Sequence, residues 1–200
     1  MTWIYLILAA GRGFKVTLLD YNSMKESIKK LYCLQIQENG ITREIHSNLS
    51  KDEQGMLREN NNRFFLKDEY KKQIKIVLTG GVFDILHMGH IFTLNEAKKY
   101  GDVLIVAIAN DKHVEKKGRK MIHSQEYRAK MVEFLKPVDA ALLGKENPDD
   151  ILELVKPDVI VFGYDQDIMI KTEGIKIVKL EKRIEETKFK TSKIIEELGV

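Results

Sequence analysis

Apolar positions along this chain follow two periods, and the change between them divides it. From residue 74 onward, short apolar runs alternate with stretches of helical spacing. The runs Ile74–Leu78, Val103–Ala109, Ala140–Leu143, Val159–Phe162 and Ile175–Leu180 read as buried strands. Between them, His87–Tyr100 and Ser124–Phe134 read as helices, the second stopped before Pro137. Asn147 caps a further helix, with Pro148 at its first position and Asp149 and Asp150 in its first turn. A last helix begins at Thr191 or Ser192 and ends at Gly199. This alternation predicts an α/β fold: a Rossmann-like, doubly wound, mainly parallel sheet with helices on both faces. Ligands of such sheets bind at the carboxyl ends of the strands, where His87, Asn110 and Gly163 fall.

The first third reads differently. Ser23-Met24-Lys25-Glu26 has the form of a capping box, and Met24, Ile28 and Leu31 continue it at helical spacing until Gly40. Ile41, Ile45 and Leu49 predict a short second helix. Leu57-Arg58-Glu59 and Arg63-Phe64-Phe65-Leu66 flank an asparagine turn and predict a hairpin. The charged stretch Lys67–Lys72 reads as a linker. Helices followed by a hairpin resemble a winged-helix module, so residues 1–72 are expected to form a small accessory domain and residues 73–200 the main one. The apolar segment Trp3–Ala10 is short and has no basic residue ahead of it, so it is expected to be a core element, not a signal peptide.

Composition narrows the classes. No stretch is long and apolar enough to span a membrane, and a single cysteine, Cys33, excludes an internal disulfide framework. Cytoplasmic residence is the resulting expectation. The net charge of +3 is unevenly placed: Lys and Arg outnumber Asp and Glu by 12 to 9 in residues 1–74 and balance at 21 each in residues 75–200. So small an excess fits a solvated face better than a nucleic-acid site.

The chemistry concentrates in Gly81-Val82-Phe83-Asp84-Ile85-Leu86-His87-Met88-Gly89-His90. Glycines open a turn after a strand, and two histidines three residues apart sit where a helix begins. Unpartnered N–H groups there attract anions, and imidazoles beside them can donate to charge developing on a phosphoryl group. The same pair could be metal ligands, but His46, His113 and His123 add no matching cluster, so no protein-held metal is expected. Asp84 either braces the turn or meets ligand. The basic run Lys112, Lys116, Lys117, Arg119 and Lys120 is either a solvated loop or a phosphate clamp, with Lys117 and Arg119 the candidates. Arg128 is expected to contact phosphate.

These residues carry a resemblance. The signature above, Ala109-Asn110-Asp111, Glu126-Tyr127-Arg128, Lys136-Pro137-Val138-Asp139, Lys156-Pro157-Asp158, Phe162-Gly163-Tyr164-Asp165-Gln166 and Thr191-Ser192-Lys193-Ile194-Ile195 stand in the order of the cytidylyltransferase-like nucleotidyltransferase family, which the chain resembles over about 125 residues. The resemblance implies attack of a phosphorylated acceptor on the α-phosphate of a nucleoside triphosphate, with release of pyrophosphate. It implies that His87 and His90 contact the phosphates, with Thr191 and Ser192 opposite. Gly81, Val82, Phe83, Gly89, Asn110, Asp111, Gly163, Asp165 and Gln166 would line the nucleotide site. It further implies Mg²⁺ carried on the triphosphate and a homodimer.

In many cytidylyltransferases of the family an arginine precedes the last helix at a position held here by Glu185. That departure directs attention to adenylyl transfer. The segments from Lys156 to Gln166 and from Phe189 to Ser192 most resemble the family's archaeal FAD synthases, which implies AMP transfer from ATP to FMN. Those enzymes usually carry cysteines near the C-terminus, and this chain has none there. Cytidylyl transfer to glycerol 3-phosphate, or nucleotidyl transfer to a heptose phosphate, is the alternative within the family. A nucleotide-sensing DNA-binding regulator is the alternative of another class. Leu8-Ala9-Ala10-Gly11-Arg12-Gly13 resembles the phosphate loop of sugar-phosphate nucleotidyltransferases, but Phe14, Lys15 and Val16 break that pattern.

Overall fold

The computed structural model describes residues 18–115, 121–164, 166 and 174–181. The last predicted helix and the segment Trp3–Ala10 lie outside them. Five parallel strands form the main sheet: β3 (Ile76–Gly81), β4 (Val103–Ile108), β5 (Ala140–Leu143), β6 (Val159–Phe162) and β7 (Lys176–Lys179). Their order is β5-β4-β3-β6-β7. The order reverses between β3 and β6, which is the switch point expected of a doubly wound sheet.

Each strand alternates between two cores, as the period of two requires. One face presents Val77, Leu104, Val106, Ile108, Val159 and Val161. Leu94 and Ala97 of α5 (Met88–Lys98) and Val132 of α7 (Gln125–Glu133) cover it. The other face presents Ile76, Leu78, Val103, Ile105, Ala140, Leu142 and Ile160. Here α8 (Asp149–Val155) supplies Ile151 and Val155. The remaining cover comes from the first third of the chain. Ile28, Leu31, Tyr32 and Ile36 of α1 (Leu18–Gln37) belong to the same apolar cluster and are buried.

Helix α1 is therefore a layer of the sheet's core. The buried Tyr32 hydroxyl donates to the Val155 carbonyl at 2.7 Å, and burial pushes its phenol pKa upward. Lys25 reaches Asp102 at 2.7 Å, and Gln37 donates to Glu133 at 2.7 Å. Cys33, half-buried beside this interface, has its thiol pushed up to about 12 by burial, which leaves it unreactive as a nucleophile.

The capping signals sort out differently from expectation. Helix α1 starts at Leu18, ahead of Ser23, so Ser23 is an exposed residue within the helix and caps nothing. The chain's working box is Ser50-Lys51-Asp52-Glu53, which opens α3 (Lys51–Gly55), an element the apolar pattern did not reveal. Both four-residue strings fit the box, but only Ser50 is in extended backbone (ψ 157°) with no helical turn before it. At the other end of α1, Gly40 takes φ +99° and its N–H bonds to Gln35 O at 2.7 Å, ending the helix as expected. Between α1 and α3 lies α2 (Arg43–Ser47), capped by Thr42. Strands β1 (Leu57–Asn60) and β2 (Arg63–Leu66) form the expected hairpin, with Asn61 and Asn62 at positive φ in its turn. Residues expected as linker hold a short helix, α4 (Asp68–Lys71). A five-residue helix, α6 (Asp111–Glu115), follows β4 and was also not expected.

Because Leu31 is fully buried between α1 and the sheet, Leu31→Ala is expected to cost about 3 kcal/mol. Urea unfolding should show one cooperative transition with a lowered midpoint. Two separate transitions, with the sheet's unchanged, would show that α1 is not part of the sheet's core.

Candidate active site

The signature turn hangs from the carboxyl end of β3. Phe83 takes φ +55°, a left-handed conformation that L-residues resist, and its ring is buried against Gly81 and His90. A Cβ at Gly81 would stand 2.8 Å from that ring, so only glycine fits. Such a turn needs external support, and three side chains give it.

Asp84 is 3% exposed, and its carboxylate accepts the backbone N–H groups of Ile122 and His123 at 2.9 Å each. It also lies 3.1 Å from His123 Nδ1. Of the two roles considered for Asp84, bracing is the one its bonds fulfil. Arg128 is fully buried and grips Val82 O, Ala109 O at 2.8 Å, His123 O at 3.2 Å and the Asp111 carboxylate. Arg128 was expected to contact phosphate; its guanidinium is enclosed and bonded to three carbonyls and to Asp111. It ties the ends of β3 and β4 to α7. Gln166 donates to Gly80 O at 2.7 Å and accepts from Gly163 N at 2.8 Å. Its amide joins β6 to β3 across the switch point and so braces the edge where it was expected to contact nucleotide.

The other predicted residues fall at the same edge. Asn110 Oδ1 accepts from Lys112 N at 3.0 Å and opens α6. Asp111, besides Arg128, accepts the Gln125 N–H at 3.0 Å, so each of its oxygens holds one bracing bond. Gly163 is buried at the end of β6. Thr191, Ser192, Asp165, Lys117 and Arg119 lie outside the described residues. Sequence reasoning missed His123 as a partner of Asp84. It also missed Gln125, whose buried amide bonds to Ile108 O at 2.8 Å and Gly144 O at 2.9 Å. No motif marks either residue; their signal is only their place just before and just inside α7.

The two histidines meet. Their ring centroids stand 3.8 Å apart with planes 25° from parallel. His87 is the N-cap of α5 and its Nδ1 accepts from Gly89 N at 3.1 Å. An imidazole accepting at Nδ1 carries its proton on Nε2, so it is a donor at the other nitrogen. A Cβ at position 89 would come within 2.9 Å of the His87 ring, which explains the glycine between the histidines. His90 lies between His87 and Phe83, whose ring centroid is 4.9 Å away. Its Nδ1 is buried with no hydrogen-bond partner. Burial, and secondarily the neighbouring His87, pull the His90 pKa down to about 4. The resting site thus holds a neutral His90 in the first turn of α5, where the Gly89 N–H bonds to the His87 ring and the His90 and Ile91 N–H groups bond to the His87 carbonyl.

The family model for cytidylyltransferase-like proteins matches residues 78–197. The chain belongs to this family and is a nucleotidyltransferase. The FAD synthase of Thermococcus sibiricus is 41% identical over 140 residues, covering 64% of this chain and 94% of the relative. The FAD synthase of Picrophilus torridus is 42% identical over 138 residues, covering 62% and 97%. A solved structure described as a lipopolysaccharide core biosynthesis protein from Thermoplasma volcanium is 35% identical. It covers 56% of this chain and 99% of its own, with a TM-score of 0.52. The match to the family begins inside β3, so α1 to α4 precede it. The family's signature is the turn, and its fixed positions coincide with the residues whose contacts leave no alternative here: Gly81, Phe83, Asp84, His87, Gly89 and His90.

Two outcomes follow. Arg128→Met should lower stability by about 3–5 kcal/mol, because Asp111 is left with a partly buried charge and three carbonyls lose a donor; a phosphate-contacting arginine would leave the melting temperature nearly unchanged. For His90, the folded pKa of about 4 lies below the ordinary 6.5. The folded chain therefore binds fewer protons than the unfolded chain between those values. The stability this group contributes is full above pH 6.5 and is lost as pH falls through about 4. His90→Gln should flatten the pH dependence of unfolding across that window; an unchanged slope would contradict a neutral His90.

Proposed function

We propose that this nucleotidyltransferase transfers AMP from ATP to FMN, forming FAD and pyrophosphate. The observation that carries the proposal is the stacked His87–His90 pair at the start of α5, in a chain about 40% identical to archaeal FAD synthases across nearly their whole length. An FMN phosphate oxygen attacks the α-phosphorus of ATP and forms a new P–O bond. The bond from that phosphorus to the oxygen bridging the β-phosphorus breaks, and its electron pair leaves with pyrophosphate. The attacking phosphate is already ionised, so no general base is needed. The chain's task is to align the two phosphates and to neutralise charge on the phosphorus in flight. His87 donates through Nε2, and the N–H groups opening α5 add their partial positive charge. His90 gains affinity for a proton once triphosphate oxygens replace water beside it.

The triphosphate side is placed at the β3/β6 switch point, with Gly81 and Gly163 closest to the nucleotide. Tyr164, Lys179, Leu180 and Glu181 line a surface depression at the ends of β6 and β7, next to that point. Thr191 and Ser192, with Asp165, are proposed to close the site, and Lys117 and Arg119 to clamp phosphate. Magnesium, when present with ATP, would screen the triphosphate and orient it. Among the described residues no group of three His, Cys, Asp or Glu side chains gathers, and Asp84 and Asp111 are engaged elsewhere. The donor set fits an ion held by phosphate oxygens and water.

Residues 18–72 are proposed to be a winged-helix module docked on the enzyme. The order α1, bridge at Ile41, α2, α3, β1, β2 supports this, with Ile41 pairing to Phe64. Helix α1's commitment to the sheet favours a structural role over DNA binding. Among the described residues no helix is long and apolar enough to cross a membrane, and a reducing cytoplasm suits the free Cys33. A homodimer is proposed on the family resemblance; Phe134, 90% exposed, is a surface such a partner would cover.

The test is turnover of the full chain with ATP or CTP against FMN and glycerol 3-phosphate, following pyrophosphate and FAD. FAD should form with ATP and FMN, and His90→Ala should lower kcat about 10²–10³-fold with little change in the KM for ATP. Pyrophosphate released only with CTP and glycerol 3-phosphate would overturn the FMN assignment.

A further inference from the structure

Large apolar side chains left in solvent are few among the described residues, and three of them belong to the signature turn and the segment bonded to it: Met88 at 54% exposure, Ile122 at 52% and Tyr127 at 54%. Met88 is the first residue of α5, Ile122 donates its N–H to Asp84, and Tyr127 lies in the first turn of α7. The Tyr127 ring is stacked on His123, centroids 4.8 Å apart and planes 8° from parallel. His123 is immobilised from three directions. Its N–H and its Nδ1 meet Asp84, and its carbonyl accepts from the buried Arg128. Two near-parallel rings are thus bolted to the signature turn, with the phenol half in solvent.

We propose that this His123–Tyr127 stack is the platform on which the isoalloxazine ring of FMN lies. The inference rests on the FMN reading above and names the part of the chain that recognises the acceptor. Three observations favour the flavin over the adenine of ATP. The strand order puts β4 and β6 on opposite flanks of β3. The proposed nucleotide position is the β3/β6 switch point, whereas His123 and Tyr127 belong to the connection that follows β4. Asp84 precedes His87 by three residues, so the platform's anchor lies within about 11 Å of the histidines even along a fully extended chain. That leaves room for a ribityl chain between a phosphate at His87 and a ring at Tyr127. A planar heteroaromatic ring gains most from a rigid aromatic face, because the protein side loses no freedom on binding. Met88, next to His87 in the chain, and Ile122, next to His123, add exposed apolar surface suited to the ring's dimethylbenzene edge.

The experiment compares the full-length chain with Tyr127→Ala, Tyr127→Leu and Tyr127→Phe, following FAD formation and the fluorescence of bound FMN. Stacking on a phenol quenches flavin emission. Tyr127→Ala should raise the KM for FMN about tenfold, relieve the quenching, and leave the KM for ATP unchanged. Tyr127→Leu, which keeps the apolar bulk without the ring, should behave like the alanine variant, and Tyr127→Phe should keep the parent's KM for FMN while losing the phenol's quenching. If the parent makes FAD and the alanine and leucine variants keep its FMN KM and its quenching, the platform is overturned while the enzyme's activity stands. An equal rise in both KM values would reveal a merely structural tyrosine and overturn it as well. If the parent makes no FAD from FMN, the functional reading falls first and the platform with it.

Discussion

A left-handed phenylalanine cannot hold a turn by itself, and everything at this protein's active edge depends on how that turn is held. Phe83 at φ +55° costs roughly 1–2 kcal/mol in backbone strain. The surrounding residues offset it with bonds that converge on residues 80–84: Gln166 on Gly80, Arg128 on Val82, Asp84 on the chain before α7. The buried Arg128 matters most, because it reaches the ends of two strands and a carboxylate together. A charge enclosed in this way is tolerated only if every donor is used. That requirement fixes the relative height of β3, β4 and α7, and so the place where α5 begins.

From that fixed start, the geometry of the histidines follows. His87 caps α5 and is turned by its bond to Gly89. His90, one turn on, has nowhere to go but under His87 and beside Phe83. Its depressed pKa is a consequence of this crowding, and it leaves the site uncharged until an anion arrives. The bracing residues and the residues proposed to face phosphate are thereby distinct sets that the one-dimensional motif mixes together. Asp84 and Arg128 hold the edge; His87 and His90 stack upon it.

Much of this was legible in the sequence. The five strands emerged from apolar runs because a parallel sheet covered on both faces leaves little room for polar positions. The site's core was legible because a glycine-bounded turn with two histidines has few other physical uses. What escaped was anything decided by tertiary partners. Arg128 in a basic, family-like motif reads as a phosphate ligand; only its neighbours reveal a buried brace. The bonds of Asp111 and Gln166 were hidden in the same way, since a polar side chain at a strand end serves ligand or backbone with equal ease. The capping box read at Ser23 fails because a helical turn already precedes it, while Ser50-Lys51-Asp52-Glu53, of the same form, went unread. The role of α1 was also hidden. Its apolar stripe announced a partner, but not that the partner was the main sheet's own uncovered face. Accessory and catalytic segments are joined there by a common core, and the boundary drawn from composition at residue 72 does not mark a gap in packing.

The central claim is that the stacked imidazoles receive the reacting nucleotide. The most direct measurement is a nitrogen-detected histidine NMR spectrum of the selectively labelled chain, taken before and after a non-hydrolysable ATP analogue is added. The account predicts that the His87 and His90 ring signals shift together on saturation, with His90 moving from its neutral position toward a hydrogen-bonded or protonated one. Saturable binding of the analogue with both rings unmoved would contradict it.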